Sequence, residues 1–281
     1  METVMRNLEL PSGQSIPVLG MGTWQMGESA RNRQSEIDAL RHGLDLGLSL
    51  IDTAEMYGEG GAEEVISQVI TNRRASVFLV SKVYPHNASK QGAIAACERS
   101  LKRLKTDYLD LYLLHWRGSI PLAETLEAFQ TLQQAGKIRS YGVSNFDVED
   151  MQEVSQLKGG KEIVTNQVLY NLTRRGIEWN LLPWCRERNI PIMAYSPIEQ
   201  GRLLNNRTLN AIAQERGVTA AQIALAWVLH QDNVIVIPKS SRIDHIEQNY
   251  AALDLKLNVD ELAALDAAFP QPTKPVPLET L

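Results

Sequence analysis

The sequence is poor in cysteine, has no long apolar run and carries no excess of positive charge. Its two cysteines, Cys97 and Cys185, show no metal-ligand spacing and are predicted to be reduced structural thiols. The longest apolar run, IALAWVL, is far shorter than the roughly 20 residues that a membrane-spanning helix needs. A net charge of −5, with acids and bases interspersed, offers no basic stripe to nucleic acid. We therefore expect no metal centre, no membrane segment and no nucleic-acid partner.

The amino-terminal stretch METVMRNLELPS also lacks the apolar core of a signal peptide. Reduced cysteines are typical of the cytosol, so the two observations together predict a cytoplasmic protein. The 281 residues, of which 44% are hydrophobic and 22% charged, have the composition of an ordinary globular protein. That length suits one α/β barrel as well as it suits two smaller domains.

Short apolar or β-branched runs alternate with longer amphipathic segments along the whole chain. Because no composition shift marks a linker, this alternation predicts a single parallel (β/α)8 TIM barrel over residues 1–281. A doubly wound sheet is the alternative, but it usually has fewer strands and this chain lacks its glycine fingerprint. The predicted strands are LGMGT (19–23), LSLID (48–52), VFLVSK (77–82), LDLYLLH (109–115), IRSYGVSN (138–145), IVTNQ (163–167), IPIMAYS (190–196) and NVIVIPK (233–239).

Both ends of the chain depart from this alternation. RNLEL–PSG–QSIPVL predicts an opening β-hairpin that turns at Ser12 and Gly13 and plugs the bottom of the barrel. The tail from Pro270 holds four prolines in twelve residues, which predicts an extended segment on the surface. Whether this tail folds over the barrel mouth is left open by the sequence.

Polar or aromatic side chains follow the predicted strands, at the end of the barrel where active sites of this fold form. Taken singly, Asp52 could cap a turn, Lys82 could reach solvent and His115 could be a hydrogen-bonded core histidine. Convergence of all of them on one face of one ring favours an active site. The strand-end residues are Trp24, Asp52, Lys82, His115, Asn145, Gln167, Tyr195 and Lys239.

Asp52 and Lys82 lie on neighbouring predicted strands and should pair, because a buried lysine without an anionic partner tends to lose its proton. Tyr57, on the loop after Asp52, is placed to be a phenol beside this lysine. The lysine charge should lower the Tyr57 pKa below its usual value of about 10. His115 could orient a carbonyl oxygen or relay the proton. Such a set protonates a carbonyl but supplies no electrons, so a nicotinamide cofactor is implied.

Eight motifs extend from the opening hairpin to about residue 270: LPSGQSIPVLGMGTW, LIDTAEMYG, VSK, LYLLHW, GKIRSYGVSNF, NQVLY, MAYSP and VIPKSS. Together they resemble the signatures of the aldo-keto reductase family over nearly the whole chain. By this resemblance, Tyr57 is the general acid for carbonyl reduction. Lys82 and Asp52 tune it, and His115 positions the substrate.

The resemblance also implies a cofactor that lies extended across the barrel mouth. Ser144, Asn145 and Gln167 match the residues that hold the nicotinamide carboxamide, and Tyr195 matches the residue that stacks on the ring. The other cofactor-binding positions that it implies are Thr23, Trp24, Ser196, Pro197, Gln248 and Asn249.

The residues themselves favour NADPH over NADH. No GxGxxG fingerprint occurs, which excludes a Rossmann mode of binding. The basic and hydroxyl-rich cluster PKSSR suits the 2′-phosphate of NADP, although a helix start with solvated charges is the alternative. This sequence departs from the family pattern by having His245 where an arginine is usual and Gln248 where an acid is usual; Arg242 could replace that arginine. The cluster comprises Lys239, Ser240, Ser241 and Arg242.

The predicted substrate pocket is aromatic. Trp24, Tyr84 and Trp116 match positions that line the pocket in the family, with His115 beside them. The loops WRGSIP and IEQGRLL are short, so an open mouth for small aldehydes is predicted, with 2-oxoaldehydes such as methylglyoxal as the substrate hypothesis. Arg117 could attract an anionic substrate. We expect a monomer or weak oligomer.

Three other functions compete with carbonyl reduction as interpretations of this sequence. A slow or non-catalytic NADP(H)-binding sensor on the same fold remains open, although it would not need Tyr57. A Schiff-base lyase needs a neutral lysine, whereas Asp52 should keep Lys82 charged. A glycoside hydrolase needs paired carboxylates at the strand ends, and Asp52 stands alone there.

Overall fold

The protein is a closed barrel of parallel strands surrounded by helices. The computed structural model describes residues 4–281, so the first three residues of the predicted single domain lie outside it. Its strands are β1 (Asn7–Glu9), β2 (Ser15–Pro17), β3 (Gly20–Gly22), β4 (Leu50–Asp52), β5 (Phe78–Val83), β6 (Leu109–Leu114), β7 (Ile138–Ser144), β8 (Ile163–Leu169), β9 (Ile192–Tyr195) and β10 (Val234–Val236).

The eight strands β3 to β10 are each paired in parallel with the next one along the chain. Parallel bridges from Leu19 to Val236 and from Gly22 to Lys239 join the first of these strands to the segment of the last, which closes the sheet. The Gly22 N–H donates to the Pro238 carbonyl at 3.0 Å across the same seam. The predicted (β/α)8 barrel is therefore confirmed, with each predicted strand overlapping an observed one.

The opening hairpin closes the bottom of the barrel, as predicted. Its strands pair antiparallel, with Leu8 opposite Ile16, around the turn at Ser12 and Gly13. Leu10 and Ile16 are buried in the barrel interior with strand residues such as Leu50. The hairpin supplies the apolar side chains that cover this end, because a barrel interior must be filled to exclude water.

Helices cover the outer face of the barrel, and apolar side chains fill the layer between helices and strands. Local signals set several helix ends: Asp147 and Asp150 form a capping box, and Gly47 ends its helix in the left-handed conformation. The helices are α1 (Arg33–Leu46), α2 (Gly61–Val69), α3 (Lys90–Leu104), α4 (Leu122–Gln134), α5 (Val148–Gln156), α6 (Leu181–Arg186), α7 (Arg207–Arg216), α8 (Ala220–Leu229), α9 (Ile243–Ala251) and α10 (Val259–Ala268).

Short 3-10 turns connect several of these elements, and the first of them follows β4 and holds Tyr57. Cys97 and Cys185 are both free and buried on α3 and α6, in agreement with structural thiols. In residues 4–281, no helix has the length and apolarity to cross a membrane. The 3-10 turns are Tyr57–Gly60, Arg74–Ser76, Pro85–Asn87, Gly160–Glu162, Gly176–Glu178, Glu199–Asn205 and Ala252–Asp254.

Candidate active site

Lys82 lies at the centre of the site, fully buried on β5. Its ammonium group donates to Asp52 Oδ2 at 2.8 Å, to the Thr53 carbonyl at 2.8 Å and to the Tyr57 hydroxyl at 3.2 Å. An ammonium group has three N–H donors, so these partners use all of them. The predicted ion pair between Asp52 and Lys82 is present, and it orients the third donor toward the phenol.

The Tyr57 hydroxyl accepts a hydrogen bond from Lys82, which leaves its own proton free to be donated. The predicted lowering of its pKa is wrong. Burial raises the Tyr57 pKa well above its ordinary value, and the negative charge of Asp52 raises it further. Lys82 does not reverse this, because its charge is already matched by Asp52. Tyr57 is therefore a protonated phenol at neutral pH, the form that an acid requires.

Burial also shifts the pKa values of Lys82 and His115. It lowers the Lys82 pKa, while Asp52 opposes that change. Burial and then the charge of Lys82 lower the His115 pKa to about 2, so this imidazole is neutral. The His115 Nδ1 is buried without a hydrogen-bond partner within the described residues. Its Nε2 is therefore the nitrogen left to donate a hydrogen bond to a ligand.

Asn145, which directly follows β7, contacts residues at the ends of β6 and β9. Its backbone is left-handed, with φ 57°, and its side-chain amide donates to the His115 carbonyl at 3.1 Å. The Tyr195 hydroxyl donates to Asn145 Oδ1 at 3.0 Å, and the Ser144 hydroxyl donates to the Gln167 carbonyl at 2.8 Å. Burial raises the Tyr195 pKa to about 12. These contacts hold the predicted carboxamide and stacking positions together beside the catalytic candidates.

A cavity of 470 Å³ opens at this end of the barrel, a size common for small-molecule sites. Trp24 and Trp116 are partly exposed at its rim, and Met56 lies beside Tyr57. Thr23 donates from its hydroxyl to the Asp52 carbonyl at 2.9 Å. The sequence-predicted residues that line the cavity are Thr23, Trp24, Asp52, Tyr57, His115, Trp116, Ser144, Asn145, Gln167, Tyr195, Ser196, Pro197 and Lys239.

The predicted phosphate cluster is only partly brought to the cavity. Lys239 and His245 both line the cavity. His245 is not among the predicted site residues, and the sequence singles it out only because an arginine is usual at this position in the family. Arg242 is exposed and pairs with Asp244 at 2.5 Å, so it would have to release this partner to hold a phosphate. Ser240, Ser241, Arg242, Gln248 and Asn249 lie outside the cavity wall.

Tyr84 and Arg117, which were predicted to contact the substrate, do not line the cavity. Tyr84 packs edge-on against Trp116, with ring centroids 5.7 Å apart, and so supports a cavity wall that it does not itself line. Arg117 is held by Asp150 at 2.8 Å and by Glu153 at 2.7 Å. These two carboxylates satisfy the guanidinium, so the structure does not support its proposed attraction of an anionic substrate.

The proline-rich tail contacts the site, which answers the question that the sequence left open. The tail is extended, as predicted, and Glu279 pairs with Arg174, which also binds Glu199 on the loop after β9. Leu281 then reaches the cavity wall. No local pattern marks such a contact. The other cavity residues not predicted as site residues are Gly22, Gln25, Met56, Ile198, Gln200, Gly201, Leu204, Ile237 and His245.

Comparison with known proteins finds similar sequences over most of the chain. Residues 18–269 match the Aldo/keto reductase family. The chain is 56% identical over 263 residues to methylglyoxal reductase YeaE of Escherichia coli (strain K12), covering 92% of this chain and 93% of that protein. It is 33% identical over 262 residues to a glyoxal reductase of Bacillus subtilis (strain 168), covering 92% of this chain and 91% of that protein.

A solved structure has the same fold as this chain. An aldo/keto reductase from Klebsiella pneumoniae, crystallised with NADP and acetate, superposes with a TM-score of 0.96 at 50% identity. That match covers 99% of this chain and 100% of the other. The match over most of the chain, the closed barrel and the Asp52–Lys82–Tyr57 contacts all lead to one conclusion: this protein belongs to the aldo/keto reductase family.

Proposed function

We propose that this protein reduces small 2-oxoaldehydes such as methylglyoxal to alcohols, with NADPH as the reductant and Tyr57 as the proton donor. As a member of this family, it is an NADP-dependent oxidoreductase that acts on carbonyl groups. The observation that carries the proposal is the Lys82 ammonium, which donates to both Asp52 and the Tyr57 hydroxyl at the wall of the cavity.

The reaction adds a hydride to the carbonyl carbon and a proton to the carbonyl oxygen. NADPH, when bound, supplies the hydride. Tyr57 donates its proton to the oxygen as negative charge develops there, and His115 donates a hydrogen bond from its neutral imidazole to the same oxygen. The phenolate that Tyr57 becomes is stabilised by the hydrogen bond from Lys82, until a proton from solvent restores the phenol.

The residues in the cavity fit a nicotinamide dinucleotide. Asn145 and Gln167 present amide groups, and Tyr195 presents an aromatic face along the same wall. Apart from His115 beside Tyr57, the basic residues that line the cavity among the described residues are Lys239 and His245. A lysine suits a monophosphate as a compact point charge, which supports NADPH over NADH. We propose that the remaining predicted cofactor residues, which are Ser240, Ser241, Arg242, Gln248 and Asn249, contact the cofactor outside the cavity wall.

Two features support a small substrate. Trp24, Trp116 and Leu281 restrict the cavity with large apolar side chains, so a compact aldehyde can contact all of them. The relatives named above include a methylglyoxal reductase and a glyoxal reductase, both of which take small dicarbonyl compounds by name.

The test is NADPH oxidation by the purified protein with methylglyoxal and a panel of small aldehydes. Replacing Tyr57 with Phe should lower the chemical step on the order of 10²–10⁴-fold and leave NADPH binding unchanged, because only the acid is lost. Because burial keeps Tyr57 protonated, the wild-type single-turnover rate should not fall between neutral pH and pH ~9 through loss of this proton.

Three controls separate the alternatives. Replacing NADPH with NADH tests the cofactor, and tight NADPH binding without oxidation across the panel would instead support a sensor. Equal turnover by the Tyr57→Phe variant would contradict the assigned acid. Borohydride trapping of a covalent adduct would revive a Schiff-base lyase, which the three hydrogen bonds of the Lys82 ammonium disfavour.

A further inference from the structure

A buried carboxylate close to the site joins the helix after Tyr57 to the strand that carries Lys82. Glu63 lies in the first turn of α2 and is fully buried. This helix follows directly from the 3-10 turn Tyr57–Gly60. Any displacement of α2 relative to β5 would therefore change the distance between the Tyr57 hydroxyl and the Lys82 ammonium.

Each oxygen of the Glu63 carboxylate has a different partner. Oε1 accepts a hydrogen bond of 2.7 Å from the hydroxyl of Ser81, the fully buried neighbour of Lys82 on β5. Oε2 accepts one of 2.6 Å from Nε of Arg103 on α3. Glu63 thus connects α2, β5 and α3 with charge-assisted hydrogen bonds, which are short and strongly directional.

The arginine also packs on the turn that carries Tyr57. Gly60 has φ 93°, and a Cβ at this position would lie 2.5 Å from Cδ of Arg103. Nη2 of Arg103 also donates to the Ser100 hydroxyl on its own helix at 3.1 Å, so two nitrogens of its guanidinium have fixed partners. The turn Tyr57–Gly60 therefore packs against the Arg103 side chain, whose position is set by its hydrogen bond to Glu63.

We propose that Glu63 is a positioning residue for the reaction: through Ser81 and Arg103 it sets the Tyr57 hydroxyl at hydrogen-bonding distance from Lys82. This inference rests on the proposed role of Tyr57. Its consequence is that loss of the Glu63 contacts slows proton donation, because a displacement of a catalytic group by about 1 Å can cost on the order of 10²-fold. A carboxylate that only stabilised the barrel would change the free energy of unfolding and not the rate of the folded enzyme.

The test is a double-mutant cycle with Glu63→Gln, Tyr57→Phe and the combined variant. Single-turnover reduction of methylglyoxal reports the chemical step, and quenching of NADPH fluorescence reports cofactor affinity. Glu63→Gln should slow the chemical step roughly 10- to 100-fold in the wild-type background with NADPH affinity unchanged. In the Tyr57→Phe background the same substitution should change the residual rate by less than about twofold, because coupled residues are not additive.

Matched variants keep the test decisive if Glu63→Gln folds poorly. Ser81→Ala removes the contact to β5 and keeps the ion pair, and it should show the same dependence on Tyr57. Arg103→Lys should retain more of the rate than Arg103→Ala. Asp110→Asn is the stability control, because Asp110 is a buried carboxylate that binds Arg74 and the Leu79 N–H. Its substitution should lower the Tm and leave the rate of the folded enzyme unchanged.

Equal losses from Glu63→Gln in both backgrounds, or no loss in the wild-type background, would overturn this inference and leave the proposed function intact. Full activity of Tyr57→Phe would overturn both.

Discussion

Gln167 donates a hydrogen bond of 2.8 Å from Nε2 to Asp52 Oδ1, while Lys82 binds Oδ2 of the same carboxylate at 2.8 Å. Both oxygens of Asp52 are therefore occupied, one from β8 and one from β5. Gln167 is also a predicted carboxamide contact of the cofactor. The position of the acid that orients Lys82 is thus connected to the wall that would hold the nicotinamide.

Removing one partner of the Asp52–Lys82 ion pair should lower the free energy of unfolding more than replacing both partners. Lys82→Met leaves the Asp52 charge buried beside Gln167 and should lower the free energy of unfolding by about 3–5 kcal/mol. Adding Asp52→Asn should recover part of this loss, because the uncompensated charge is gone. Urea denaturation of the two single variants and the double variant measures the effect. Additive losses would mean that the two charges do not compensate each other.

His115 should make the protein sensitive to mild acid. Its pKa is about 2 in the folded protein, against an ordinary value of about 6.5 in the unfolded chain. The unfolded state therefore takes up the proton first. The stability contribution is fully present above pH ~6.5 and is lost as the pH falls toward ~2, at about 1.4 kcal/mol per pH unit.

The measurement is urea denaturation at pH ~6.5 and pH ~5, where His115 should account for a loss of about 2 kcal/mol in the wild type. His115→Gln should not show this part of the loss, since glutamine does not titrate. His230→Gln is the control, because His230 is exposed. The same acid loss in both variants would show that other groups cause it.

The basic side chains of the cavity should decide between the two nicotinamide cofactors. Lys239→Met should weaken NADPH binding roughly tenfold and change NADH binding little, because the 2′-phosphate alone is lost as a partner. His245→Arg should strengthen NADPH binding, since arginine is always charged and can bind a phosphate with two N–H groups. Fluorescence titrations with both cofactors test this. Parallel changes for NADPH and NADH would place the phosphate elsewhere.

Leu281 should limit the size of the substrate. It lines the cavity with Trp24 and Trp116, and Leu281→Ala would widen that wall. The ratio of kcat/KM for a bulky aromatic aldehyde to that for methylglyoxal should rise roughly tenfold, since each methylene in an apolar pocket is worth about 1–3 kcal/mol. Val276→Ala is the control, because Val276 lies on the same tail but lines other grooves. An unchanged ratio in Leu281→Ala would exclude this role.

The sequence by itself determined the barrel and the location of the site. The alternation of apolar runs with amphipathic helices depends on local backbone periodicity, which is written directly in neighbouring residues. A parallel barrel brings all strand ends to one face, so residues that follow strands must converge there. Asp52, Lys82, Tyr57 and His115 lie together in the folded chain for this reason.

Only the tertiary structure decided how these groups are charged and held. The sign of the Tyr57 pKa shift follows from burial and from the negative charge of Asp52, and neither effect can be read from spacing. The pairing of Arg242 with Asp244 likewise depends on side-chain direction. Desolvation and long-range contacts depend on every element packed around a group. For that reason the contacts of Glu63 appear only once the chain is folded.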